Sequence, residues 1–109
     1  MDLVEGVYAC TSQYPKEEIY GLSLQTRKSA VSVPSNIAEG AARNSKREFI
    51  QFLYISLGSL SELETQLLIA KRLAFLKDQE IFKGLVQTRK FILGLIRYVK
   101  NKVGLANED

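Results

Sequence analysis

The residues of this 109-residue chain whose type and spacing are best suited to chemistry are cations. Between Ile81 and Asn107 there are six of them (Lys83, Arg89, Lys90, Arg97, Lys100 and Lys102) and no acid. Lys83, Lys90 and Arg97 recur every seven residues, so a helix sets them on one solvent face, while Arg89 and Lys100 flank its apolar side. A stripe of one sign can follow a phosphate backbone, with an affinity that falls as salt rises. It also reads as a solvated helix face whose cations suit the negative end of the helix dipole. A second cationic group, Arg43, Lys46 and Arg47, stands at the start of another helical segment, where positive charge opposes the dipole. Together with free end amides it would make an anion site; as an exposed turn it would merely be screened. Neither group points to base-specific reading.

Other chemistry is mostly excluded by composition. Without histidine there is no Ser-His, Cys-His or histidine-metal arrangement. Glu39, Glu62 and Glu64 are the residues from which an all-carboxylate metal site would have to be built. The expectation is a chain with no catalytic residue, no metal and no cofactor, and so not an enzyme. Cys10 occupies an apolar position and reads as a small hydrophobe. A single cysteine forms no internal disulfide, which fits a reducing compartment. No apolar run approaches the roughly 18 residues of a membrane span, and the mixed, acidic start is not a signal peptide. The expected location is therefore the cytoplasm. A net charge of +3 permits an anionic partner without demanding one.

These side chains must be positioned by helices. Apolar residues recur at spacings of three and four nearly throughout, with only two prolines and seven glycines. The pattern predicts four helices and no strands. The first covers about 2–12. The second covers about 15–43, opened by Pro15, Glu17 and Glu18 and kinked at Pro34, which cannot donate to the Ala30 carbonyl. Its core stripe is Ile19, Thr26, Ala30, Val33, Ile37 and Ala41, opposed by Lys28, Ser32, Ser35, Asn36, Glu39 and Arg43. Ser35 and Asn36 are expected to recover backbone groups freed at Pro34. The third helix covers about 46–73, capped by Ser45 with Glu48, around Phe49, Phe52, Leu53, Ser56, Leu60, Leu63, Leu67 and Ala70. Glu64 lies near that apolar face and needs a cation, for which Arg27 or Arg89 is in reach. The fourth covers about 79–102 behind Asp78, around Ile81, Leu85, Ile92, Leu95, Ile96 and Val99. Gly104 onward reads as a tail.

Short connections and the absence of any linker imply one domain over 1–109, an all-α, antiparallel up-down-up-down four-helix bundle. The apolar faces are wider than one bundle core needs. Val31, Ala38 and Ala42 form a second apolar edge on the second helix, expected at an oligomer interface unless it packs on the short first helix. Gly58 is expected to allow close helix approach, in the core or between subunits. The ten tyrosines and phenylalanines fall mostly at core spacing and are not read as stacking platforms for bases.

Two blocks carry a resemblance. Tyr20-Gly21-Leu22 with Arg27-Lys28-Ser29-Ala30-Val31-Ser32-Val33-Pro34-Ser35-Asn36-Ile37-Ala38-Glu39-Gly40 is the first. Ser45-Lys46-Arg47-Glu48-Phe49-Ile50-Gln51-Phe52-Leu53 with Gly58-Ser59-Leu60-Ser61-Glu62-Leu63-Glu64-Thr65-Gln66-Leu67 is the second. Over about 14–76 the chain resembles the bacterial four-helix bundle family, also called the 23S rRNA-intervening-sequence proteins. The resemblance implies an antiparallel bundle assembled as a homopentamer. It also implies kinship to the accessory variability determinants of diversity-generating retroelements, basic pentamers that bind nucleic acid and a reverse transcriptase. By the resemblance, family members usually open with a longer first helix carrying an aromatic and basic stretch, and this chain is expected to start inside it, through either a shorter start or a reading frame called late.

The combined expectation is a non-enzymatic, homo-oligomeric bundle, pentameric by resemblance, that binds nucleic acid, RNA first, through Lys83, Arg89, Lys90, Arg97 and Lys100, with Arg43, Lys46 and Arg47 second. Its partners would be further copies of itself, RNA and, by family analogy, a reverse transcriptase, with no membrane. The alternative is a protein-interaction scaffold whose cations only solvate it.

Overall fold

A computed structural model describes residues 2–102, and it is all-helical. Helix α1 is Asp2–Thr11, α2 is Leu22–Ala41, α3 is Lys46–Arg72 and α4 is Ile81–Lys102, with a 3-10 turn at Lys16–Glu18. There is no strand among the described residues. The tail expected from Gly104 lies outside them.

Neighbouring helices meet in opposite senses. Along α2 and α3 the pairs are Ser29 with Glu62, Ser32 with Ser59, and Gly40 against Phe52. Between α3 and α4, Lys71 lies over Phe82, Glu64 meets Arg89, and Tyr54 meets Lys100. Helix α1 closes the ring, with Gly6 near Ile81, Leu3 near Gly84, and Thr11 bonded to Arg27 of α2. The core draws on all four helices: Val7 from α1, Ala30 and Val33 from α2, Leu53, Leu60, Leu63 and Leu67 from α3, and Leu85, Ile92, Ile96 and Val99 from α4.

Local chemistry explains most boundaries. Ser45 Oγ accepts the Glu48 amide at 3.2 Å, starting α3 as the S-x-x-E spacing predicts. Asp78 Oδ1 accepts the Glu80 amide at 2.9 Å just before α4. At the end of α3 the Phe75 amide reaches the Ala70 carbonyl and the Ala74 amide that of Lys71, with Ala74 at φ 63°. That is a Schellman stop built on alanine instead of the usual glycine.

The start of α2 differs from expectation. Pro15 does not open α2 but a 3-10 turn, closed by the Glu18 amide on the Pro15 carbonyl at 2.9 Å. Gly21 then leaves the helical region at ψ −112°, and α2 begins at Leu22, whose amide is accepted by Glu18 Oε1 at 3.2 Å. Ile19, assigned to the core stripe, is consequently exposed, as is Ala41 at the far end.

Helix α2 continues through Pro34 as one element. The neighbouring polar groups find partners: Asn36 Nδ2 donates to the Ser32 carbonyl at 2.8 Å, and Ser56 Oγ donates to the Val33 carbonyl at 2.6 Å. Asn36 thus bonds beside the proline, but to the Ser32 carbonyl and not to that of Ala30, which Pro34 leaves without its amide donor. Ser32 and Asn36, though, lie half-buried toward α3, not on an outward stripe. With Ser29 donating to Glu62 at 3.1 Å, a polar seam joins α2 to α3.

Tyr14 packs on Phe75, ring centres 5.8 Å apart, with its hydroxyl buried and unpartnered. Burial, followed by the neighbouring Cys10, pushes its pKa up to about 12. Folded protein therefore holds this proton more tightly than unfolded chain, whose tyrosine ionises near 10. The stabilisation is complete below pH 10 and lost as pH climbs toward 12. Tyr14→Phe is expected to melt at or above the wild-type temperature at neutral pH, because removing an orphaned polar group costs little. Across pH 10–12 it should lose less stability than the wild type, as followed by circular dichroism.

Candidate nucleic-acid interface

Helix α4 buries Ile81, Leu85, Ile92, Ile96 and Val99 and turns its opposite side to solvent. No acidic residue occurs within it. Lys83, Lys90 and Arg97 are all exposed on that side, one every seven residues, about 10.5 Å apart along the axis.

The cations differ in how committed they are. Lys83 Nζ sits 3.1 Å from Glu80 Oε1, an exposed pair worth about 0–1 kcal/mol and easily traded for a phosphate. Lys90 and Arg97 have no ion-pair partner among the described residues. Arg89 is different: its Nη2 donates to Glu64 Oε1 at 2.9 Å, half-buried between α4 and α3. Glu64 therefore has one of its two expected partners. The other, Arg27, donates instead to Thr11 Oγ1 at 2.7 Å and lies over the Tyr8 ring. Lys100 also turns toward α3, 3.3 Å from the Tyr54 hydroxyl and over its ring. Of the five α4 cations read from the sequence, three face outward together and two brace the α3 contact.

The second group is less open than its spacing implied. Arg43 is held by Glu39 at 3.0 Å, lies 3.8 Å from Glu48 and covers the Phe52 ring. Its charge is balanced by carboxylates on either side. Lys46 and Arg47 are exposed at the start of α3, where the Ser45 hydroxyl already takes the Glu48 amide.

The three glutamates do not converge: Glu39 serves Arg43, Glu62 accepts from Ser29, and Glu64 binds Arg89. Among the described residues there is no group of three or more histidine, cysteine or acidic side chains placed to hold a metal. Cys10 is half-buried, and burial, with Asp78 nearby, raises its pKa and lowers its thiolate fraction. No helix among the described residues is long and apolar enough to cross a membrane.

Two expectations about exposure are corrected. Tyr8, Tyr20, Tyr54, Phe91 and Tyr98 are exposed, so half of the aromatic residues lie outside the core. The 3.6-residue pattern did not separate Phe91 and Tyr98 because α4 carries apolar residues on both shoulders of its buried face. Gly58 makes no close approach inside the chain, since a Cβ there would meet nothing within 4 Å, so of its two expected roles the one in the core falls and the one between subunits stands as an expectation. The glycine at which helices close up is Gly40, where a Cβ would stand 2.6 Å from Phe52 Cβ. Val31 and Ala38 lie on α2 and Ala42 caps its end, and all three are exposed.

Fold and surface together define a four-helix protein whose last helix is an acid-free cationic face. The sequence model of the 23S rRNA-intervening sequence protein family matches residues 1–96. The chain belongs to that family. No curated protein matches it.

Proposed function

We propose that this protein is a non-enzymatic, cytoplasmic homo-oligomer that binds nucleic acid, RNA first, through charge on the outer face of α4. The observation that carries the reading is the set Lys83, Lys90 and Arg97, exposed in register on a helix without an acid. Such a face contributes phosphate contacts and counterion release without sequence preference. One such patch is weak. Several copies in one assembly raise the effective concentration of each, and five is the number the family resemblance implies. Lys100 adds positive potential from the α3 side, where Arg89 is balanced by Glu64, and Lys46 and Arg47 form a secondary patch.

A protein-interaction scaffold is the second reading, favoured by the exposed Leu68 and Ile69 on α3 and by the open edge at Val31 on α2. Light scattering at low and high salt, with and without bulk RNA, separates the two. A multi-chain mass that rises with RNA only at low salt supports the first. A multi-chain mass indifferent to RNA at every salt supports the second.

A further inference from the structure

Beside the cations of α4 stand two large rings that the core does not use. Phe91 is 62% exposed and Tyr98 60%. They are seven residues apart, so they share one shoulder of the helix at the same pitch as the cations. Each directly follows a cation without an ion-pair partner among the described residues: Phe91 follows Lys90 and Tyr98 follows Arg97. Exposing two aromatic faces forfeits burial that either would gain in a core. Two other exposed tyrosines on the helices are engaged: Tyr8 lies under Arg27 and Tyr54 under Lys100. Phe91 and Tyr98 take no such cation among the described residues.

We propose that α4 binds unpaired strands, with phosphates on Lys90 and Arg97 and bases stacked on Phe91 and Tyr98. This deepens the nucleic-acid reading and rests on it. The physical reason is selectivity by shape. A duplex offers its backbone to the cations but keeps its base faces inside the stack. A single-stranded segment or loop can offer both at once, and stacking tolerates any base because every base has a flat face. A repeat of one cation and one ring every two turns suits a strand running along the helix axis, and it calls for no hydrogen-bond reading of sequence. Phe91 also stands at the border of a cleft of about 330 Å³ between α1, α2 and α4, which it lines with Leu3, Pro34 and Ile37. The cleft is open and mostly apolar, with Asp2, Gln87 and Thr88 also in its lining, so a base leaving the Phe91 ring has further apolar surface beside it.

The test compares a labelled 16-nucleotide RNA with the same strand annealed to its complement, by anisotropy at low salt. The chain lacks tryptophan, so Phe91→Trp adds a single emitter at the proposed stacking point. The expected result is tighter binding of the single strand, with Phe91→Trp emission quenched by it and not by the duplex. Phe91→Ala and Tyr98→Ala should each weaken single-strand binding by roughly five- to a hundredfold and leave duplex binding unchanged. Tyr98→Phe should bind as the wild type. Both alanine variants should keep the wild-type melting temperature, because the rings are exposed. Equal binding of both forms, indifferent to the ring variants, overturns the stacking inference while the cationic-face reading stands. No binding of either form overturns both. A fall in assembly mass in the ring variants shows that the rings pack on another copy, and overturns the inference in favour of an interface.

Discussion

Gly40→Ala is expected to destabilise the protein by about 1–2 kcal/mol, although alanine is the better helix former. The added methyl would stand 2.6 Å from Phe52 Cβ, 3.0 Å from Phe49 Cδ1 and 3.3 Å from the Phe49 carbonyl. Phe52 Cβ is the root of its side chain and cannot swing aside, so α2 and α3 must separate. Overpacking of this kind costs about 1–3 kcal/mol, set against the roughly 1 kcal/mol that glycine forfeits inside a helix. Gly58→Ala is the control. Nothing lies within 4 Å of its Cβ position, so the helix-propensity gain should appear as added stability of up to about 1 kcal/mol. Urea melts of the two variants should shift in opposite directions. If Gly58→Ala also lowers the assembly mass, the close approach at Gly58 is made by another subunit.

The second large effect is expected on binding. Reversing Lys83, Lys90 and Arg97 to glutamate puts three anions where three exposed cations stood, in register on one helix face. A phosphate that no cation neutralises keeps its counterions, and each new carboxylate repels the backbone. RNA affinity at low salt is expected to fall at least a hundredfold, on the order of 3 kcal/mol. Reversing Lys16, Lys28 and Lys77, all exposed and none of them on α4 or in the secondary patch, gives the same net charge. That variant should keep most of its affinity. Equal falls in the two triple variants would make the effect one of total charge, with no interface on α4.

Much of this was legible in the sequence where one rule governed a position. Most of the α3 core was, because a single helix packed on both sides keeps a strict period: Leu53, Ser56, Leu60, Leu63, Leu67 and Ala70 are all fully buried, while Phe49 and Phe52 at the head of the same stripe are half-buried. So was the need of Glu64 for a cation, since a carboxylate on an apolar face requires one, but the sequence left Arg27 and Arg89 both open and the fold selects Arg89. Legibility failed where two rules competed. Pro15 with two following acids signals a helix start, but Gly21 interrupts it, and the result is a 3-10 turn before α2. Ser29, Ser32 and Asn36 are polar yet face α3, because they bond along the seam; hydropathy alone assigns such residues to solvent. Phe91 and Tyr98 are the reverse case, apolar rings on an exposed shoulder, and only coordinates distinguish that shoulder from the core. On α4, the seven-residue spacing identified the outward cations, while the inward commitment of Arg89 and Lys100 depended on α3 neighbours that no spacing reveals.

The most direct test of the central claim is the salt dependence of RNA binding by the unmodified protein, measured as log K against log salt concentration. Two or three phosphate contacts per bound helix on a single strand correspond to a slope of about −1.4 to −2 per subunit engaged, steeper when several subunits of one assembly bind the same strand. A clear linear fall of that size is the expected result. Binding that does not change with salt, or no binding at the lowest salt, would contradict an interface built on Lys83, Lys90 and Arg97.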